Sequence, residues 1–164
     1  SRCLTEMRKQ SITSSTVRIC AGGKLSGYKG KMPGVLEEIV LSLDFEKPTF
    51  LLGAFGGVIG DVCRVLLDEY VPESLTEEWQ VNHNAGYSDV QAIAKANNNE
   101  CDYSTVVDTL KKLNISDLAS RCGLSKEEYV KIMCSPFIDE CLHLILKGLK
   151  SVSGYEYGRK FQTV

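Results

Sequence analysis

The apolar positions change character near residue 70: before it, short continuous runs alternate with amphipathic stretches, and beyond it only helical periodicity remains. Val17-Arg18-Ile19-Cys20-Ala21 and Thr49-Phe50-Leu51-Leu52-Gly53 are brief runs rich in β-formers, the form of parallel strands covered on both faces. Between them Val35, Leu36, Ile39, Val40 and Leu43 make an i, i+1, i+4, i+5, i+8 stripe suited to packing on a sheet. A second helix is predicted over 58–67 and a short one over 4–10. Strand, helix, strand, helix makes a βαβα unit with a right-handed crossover. The predicted class is therefore α/β, a Rossmann-like parallel sheet with a helix-rich carboxyl-terminal part.

In that second part Ser74-Leu75-Thr76-Glu77 and Ser125-Lys126-Glu127-Glu128 read as capping boxes, each opening a helix. Further helices are expected over 89–96, over 104–113, and from Ser116 to a stop at Gly123. The last should begin at Pro136 and run to about 149, with Phe137, Ile138, Cys141, Leu142, Ile145 and Leu149 on one face and Gly148 and Gly154 at a fraying end. The chain divides on this reading into a βαβα half over 1–71, a helical part packed on it over 72–152, and a tail over 153–164.

Both strands end in glycines: Gly22-Gly23 after the first, and Gly53 followed by Gly56-Gly57 after the second. In an open parallel sheet, ligands bind beyond the carboxyl ends of the strands, where helix N-termini present free N–H groups. Glycine admits φ > 0 there and brings no Cβ to hold a ligand away. Lys24, Lys29 and Lys31 add three cations to the first loop with no acidic residue among them, so the natural ligand is an anion. The plainer alternative is that the glycines only shape tight turns. In the loop Asn82-His83-Asn84-Ala85-Gly86-Tyr87, His83 and Tyr87 could meet a base, but a simple interhelical connection accounts for it, and Trp79 reads as a helix-packing residue.

With 164 residues, 43% of them hydrophobic, and a net charge of −2, the chain is of ordinary globular composition and is not built to bind nucleic acid through bulk charge. No eighteen-residue apolar run and no cleavable leader pattern is present. Seven cysteines, odd in number and without a C-x-x-C, point to free thiols in a reducing, cytoplasmic setting. His83 and His143 pair with none of them at zinc spacing, and neither metal nor cofactor is expected.

Arg8-Lys9, the strand at 17–21, Gly22-Gly23, Gly34-Val35-Leu36-Glu37-Glu38 and Lys47-Pro48 resemble the Lonely Guy and DprA-like superfamily, SLOG. Its nucleoside-monophosphate hydrolases carry an Arg-Lys pair and a Pro-Gly-Gly-x-Gly-Thr-x-x-Glu motif. Here ten residues separate Gly23 from Gly34, and Val35 stands where those enzymes have threonine. The longer form resembles branches fused to TIR or similar effector domains in immune proteins, and 123–149 resembles the closing helices of such relatives. The resemblance implies a nucleotide-derived ligand, such as an ADP-ribose variant, held by Gly22, Gly23, Lys24, Lys29, Lys31, Gly34, Glu37, Gly53, Gly56 and Gly57. It implies catalytic roles for Arg8 and Glu38 only if the chain is a hydrolase. It also implies a homo-oligomer within a multidomain chain, and strands preceding the Arg-Lys helix that this sequence lacks. Three functions follow: a ligand sensor in signalling, a phosphoribohydrolase, and a helical interaction module on an inactive scaffold.

Overall fold

The computed structural model describes residues 2–152. Helix α1 (Arg2–Ser14) leads into strand β1 (Arg18–Ala21), helix α2 (Gly34–Asp44), strand β2 (Thr49–Leu52) and helix α3 (Gly57–Leu66). Six helices follow: α4 (Glu77–His83), α5 (Tyr87–Ala96), α6 (Tyr103–Lys111), α7 (Ile115–Arg121), α8 (Lys126–Cys134) and α9 (Ile138–Val152). The strands pair in parallel, Arg18 opposite Thr49 and Ala21 opposite Leu52, and they form the only sheet among the described residues. The chain is thus α/β with a helical carboxyl-terminal part.

β2 is buried at every position, whereas β1 buries Cys20 and leaves Ile19 54% exposed. The difference follows from what covers each strand. Helices α2 and α3 touch both strands, but α8 packs on β2, where its Tyr129 hydroxyl donates to the Thr49 carbonyl at 2.6 Å. One apolar cluster runs from Cys20 and Leu36 through Phe50 and Val62 to Tyr129 and Ile145, so the helical residues and the sheet share a core.

The capping box at Ser125 forms as expected, with Ser125 and Glu128 exchanging bonds. At residues 74–77 the expectation fails. Glu73–Leu75 is a 3-10 turn, and Thr76 rather than Ser74 caps α4 by accepting from the Trp79 N–H. Ser74 is buried and its hydroxyl is turned to Asp61 instead. The last helix also departs from its predicted start and face. It begins at Ile138, the Phe137 N–H being taken by Ser135 Oγ at 3.2 Å, and it buries Cys141, Leu144, Ile145 and Gly148. Phe137, Ile138 and Leu142 lie exposed. The reason is Gly148, which is no fraying point. A Cβ there would lie 2.3 Å from the Cys122 carbonyl oxygen and 3.0 Å from the Phe50 ring. The helix is rolled so that its smallest residue meets the core. Gly154 lies outside the described residues.

Candidate ligand site

Both glycine-rich strand ends meet in space. Gly22 and Gly23 leave β1 with φ of 64° and 98°, and their carbonyls accept from the Ile59 and Val58 N–H groups of α3 at 2.9 and 3.2 Å. Gly57 makes this approach possible. Its φ is 61°, and a Cβ would stand 2.4 Å from the Gly23 oxygen. Two first-turn donors of α3 that the sequence pattern offered to a ligand are therefore spent on β1. Gly22 and Gly56, both at positive φ, face open space. Gly53 faces inward, against the Met133 carbonyl and the Cys63 side chain.

The N-terminus of α2 differs. Pro33 supplies no side-chain cap, and the helix opens at Gly34 beneath the guanidinium of Arg8. Val35 closes against Gly23, filling the space beside the glycine pair. Gly23, Val35, Gly34 and Arg8 thus form one continuous surface at the carboxyl end of β1. Here a helix N-terminus without a side-chain cap meets a guanidinium, the two kinds of group that anions bind.

Two glutamates and two arginines are interleaved behind that surface. Arg8 Nη1 donates to Glu37 Oε2, and Arg18 Nη2 donates to Glu38 Oε2. Arg8 Nε lies 3.7 Å from Glu38 Oε1, and Thr5 Oγ1 donates to Glu37 Oε1 at 2.5 Å. Glu37 is only 6% exposed. The structure brings Arg8 and Glu38 together and places Glu37 in the interior, with both carboxylate oxygens engaged. Arg8 Nε is buried and has no hydrogen-bond partner among the described residues.

The lysine-bearing loop is held by the helical half. Gly27 N–H donates to Asn84 Oδ1 at 2.7 Å, Tyr28 hydroxyl to Gln80 Oε1 at 2.6 Å, and Lys31 Nζ to Asn99 Oδ1 at 2.9 Å. Tyr87 hydroxyl donates to the Lys31 carbonyl, and the Tyr28 and Tyr87 rings meet edge to face. Burial pushes the Tyr28, Tyr87 and Tyr103 hydroxyls up from their ordinary range, so they stay neutral donors. Lys24 and Lys29 remain exposed; Lys31 is half-buried. Tyr87 is thus a loop anchor. His83 stacks on Trp79, ring centroids 3.9 Å apart, and stands exposed on α4. Sequence reasoning gave no role to Asn84, Gln80 or Asn99 because hydrogen bonds across 52 to 68 residues leave no local pattern.

A cleft of about 430 Å³ lies elsewhere, between Leu75 and Val107, with Glu77, Asp102 and Asp108 in its wall. Its acidic lining does not suit an anion. No cluster of metal-ligating side chains occurs among the described residues, and all seven cysteines are free.

A family model described as SLOG cluster2 matches residues 1–132. The chain belongs to the SLOG superfamily. The match takes in Arg8, both glycine pairs, α2 and the lysine loop, and it ends within α8, so α9 is not part of it. No curated protein and no solved structure matches the chain. A nucleotide-related role is in keeping with SLOG membership, and no described helix is long and apolar enough to cross a membrane.

Proposed function

We propose that this chain binds a nucleotide-derived anion, such as an ADP-ribose variant, at the carboxyl end of β1, and that it does so as the sensing part of a larger cytoplasmic signalling or immune protein. The observation that carries the reading is Arg8 seated over the uncapped N-terminus of α2. A phosphate there would meet the guanidinium and the helix-end N–H groups together, with Gly22 and Gly56 leaving room and Lys24 and Lys29 within the adjoining loop.

Hydrolysis is the second reading, and the 3.7 Å approach of Arg8 Nε to Glu38 Oε1 is what favours it. Against it, the other oxygen of Glu38 holds Arg18, and Val35 offers no hydroxyl to a phosphate. Both points favour binding over turnover.

The test is a thermal-shift screen with AMP, ADP-ribose, cyclic ADP-ribose isomers and NAD, repeated on the Lys24→Ala/Lys29→Ala chain and on Arg8→Lys. Ligand at ~100 times its dissociation constant stabilises by about 2.7 kcal/mol, a readily measured shift. A shift weakened by both variants supports the site, whereas no shift with any of the compounds overturns the proposal. Release of adenine from AMP, lost in Glu38→Gln, would establish the hydrolase instead.

A further inference from the structure

The 3-10 turn Gly53–Phe55, which joins β2 to α3, is fixed at both ends and carries a ring at the surface. Gly53 is wedged against the Met133 carbonyl and the Cys63 side chain, and its own carbonyl accepts from the Gly56 N–H at 3.0 Å. Ala54 is exposed, and Phe55 is 42% exposed. A lone exposed aromatic is ordinary on a protein surface, but this one has an unusual place. Over residues 21–23 and 53–57, the carboxyl ends of the two strands, every other residue is glycine or alanine, so Phe55 is the one sizeable side chain there. The turn is also tied to the end of β1, since Gly57 lies against Gly23, and the Val58 and Ile59 N–H groups donate to the Gly23 and Gly22 carbonyls.

The two ends of this glycine surface differ in chemistry. At the β1 side, Arg8 and the head of α2 offer groups that bind an anion. At the β2 side, two first-turn donors of α3 are already bonded to β1 carbonyls, and what remains there is the Phe55 ring. Between them Gly22 and Gly56 would meet nothing within 4 Å even if each bore a Cβ, so a flat group can lie close to the backbone. A ligand that is anionic at one end and planar and aromatic at the other matches both ends, and a nucleotide is such a ligand. We propose that Phe55 is a specificity-determining residue of the ligand site, stacking on the base of the nucleotide whose phosphate meets Arg8. This inference rests on the ligand reading above and adds to it that the base is selected, so a nucleotide is preferred over the bare sugar phosphate. Stacking needs only the π face that every base has, and a phenylalanine supplies it without a hydrogen bond.

Isothermal titration calorimetry on the 164-residue chain with ADP-ribose, AMP and ribose 5-phosphate tests this, because AMP and ribose 5-phosphate share their sugar and phosphate and differ in the base. The wild type should bind the nucleotides about tenfold or more tighter than ribose 5-phosphate. Phe55→Ala and Phe55→Leu should each remove that preference and leave the affinity for ribose 5-phosphate unchanged, whereas Phe55→Tyr, which keeps a ring, should retain it. Leucine keeps an apolar side chain in the turn, so a loss shared by both variants reports the ring rather than packing. Arg8→Lys should weaken all three compounds. Nucleotide binding that falls in Arg8→Lys but is indifferent to Phe55→Ala and Phe55→Leu overturns the role of Phe55 and leaves the anion site standing. A wild type that binds ribose 5-phosphate as tightly as AMP does the same. Absence of binding by all three compounds overturns the anion site and this inference together.

Discussion

Arg8 lies so close over Gly34 that a Cβ at position 34 would stand 2.5 Å from its Nη2. The same guanidinium holds the buried Glu37. One glycine therefore admits the arginine both to the head of α2 and to its partner in the interior. Arg8→Met should leave Glu37 as an uncompensated buried carboxylate and lower the stability of the chain by about 3 kcal/mol. Replacing both partners, Arg8→Met with Glu37→Leu, should recover most of that loss. Urea unfolding of the two variants checks this.

Gly57 and Gly22 both sit at positive φ but differ in what surrounds them. Gly57→Ala drives a methyl into the Gly23 carbonyl and should cost about 3 kcal/mol or more, breaking the bonds from α3 to β1. Gly22→Ala meets open space and should cost only the backbone strain, roughly 1–2 kcal/mol. Equal losses in chemical denaturation would show that contact at Gly57 contributes nothing.

The buried thiols set an alkaline limit. Burial pushes Cys20 up to about 11 and Cys101 and Cys122 up to about 12. Each folded-state pKa lies above the 9.0 of an ordinary cysteine thiol, so the native state retains protons that the unfolded chain gives up. Their contribution is complete below about pH 9 and is lost as pH rises through about 11 to 12. The urea midpoint should fall progressively across that window, and replacing Cys20 and Cys122 by alanine should flatten the slope whatever it does to the midpoint. In native protein near neutral pH, the exposed Cys3 and Cys134 should react with a thiol reagent well before the five buried cysteines.

Asn84 holds the lysine loop from the helical side by accepting from Gly27 N–H. Asn84→Ala should lower stability by about 1 kcal/mol and raise amide exchange at Gly27 and its neighbours, leaving β1 protected. Unchanged exchange at Gly27 would mean the loop is held by Tyr28 and Lys31 alone.

Much of this architecture could be read along the chain because it is local. The two strands, the stripe of α2 and the Ser125 capping box each depend on residues a few positions apart, and all are present. What the sequence misled about depends on distant partners. Ser74 and Glu77 have capping-box spacing, but Asp61 captures the serine hydroxyl. Gly53 reads as part of a ligand loop, but the Met133 carbonyl and Cys63 crowd it from across the core. Gly56-Gly57 reads as an anion cradle, but two of the following N–H groups meet β1 carbonyls. Glu37 stands among the ligand-holding residues that the resemblance implies and is instead sealed by Thr5 and Arg8 from a helix about thirty residues upstream. Helical periodicity gave α9 an apolar arc without saying which half of it would be covered.

Gly148 fixes a practical boundary. Through it α9 lies directly on Phe50 and on the carbonyl of Cys122, both fully buried. A protein trimmed at residue 132, where the family match stops, would uncover the Phe50 ring in the middle of β2 and lose the helix that seals it. The smallest piece worth expressing is therefore set by how closely two backbones touch, and it extends past the last turn of α9 rather than to the edge of the shared sequence pattern.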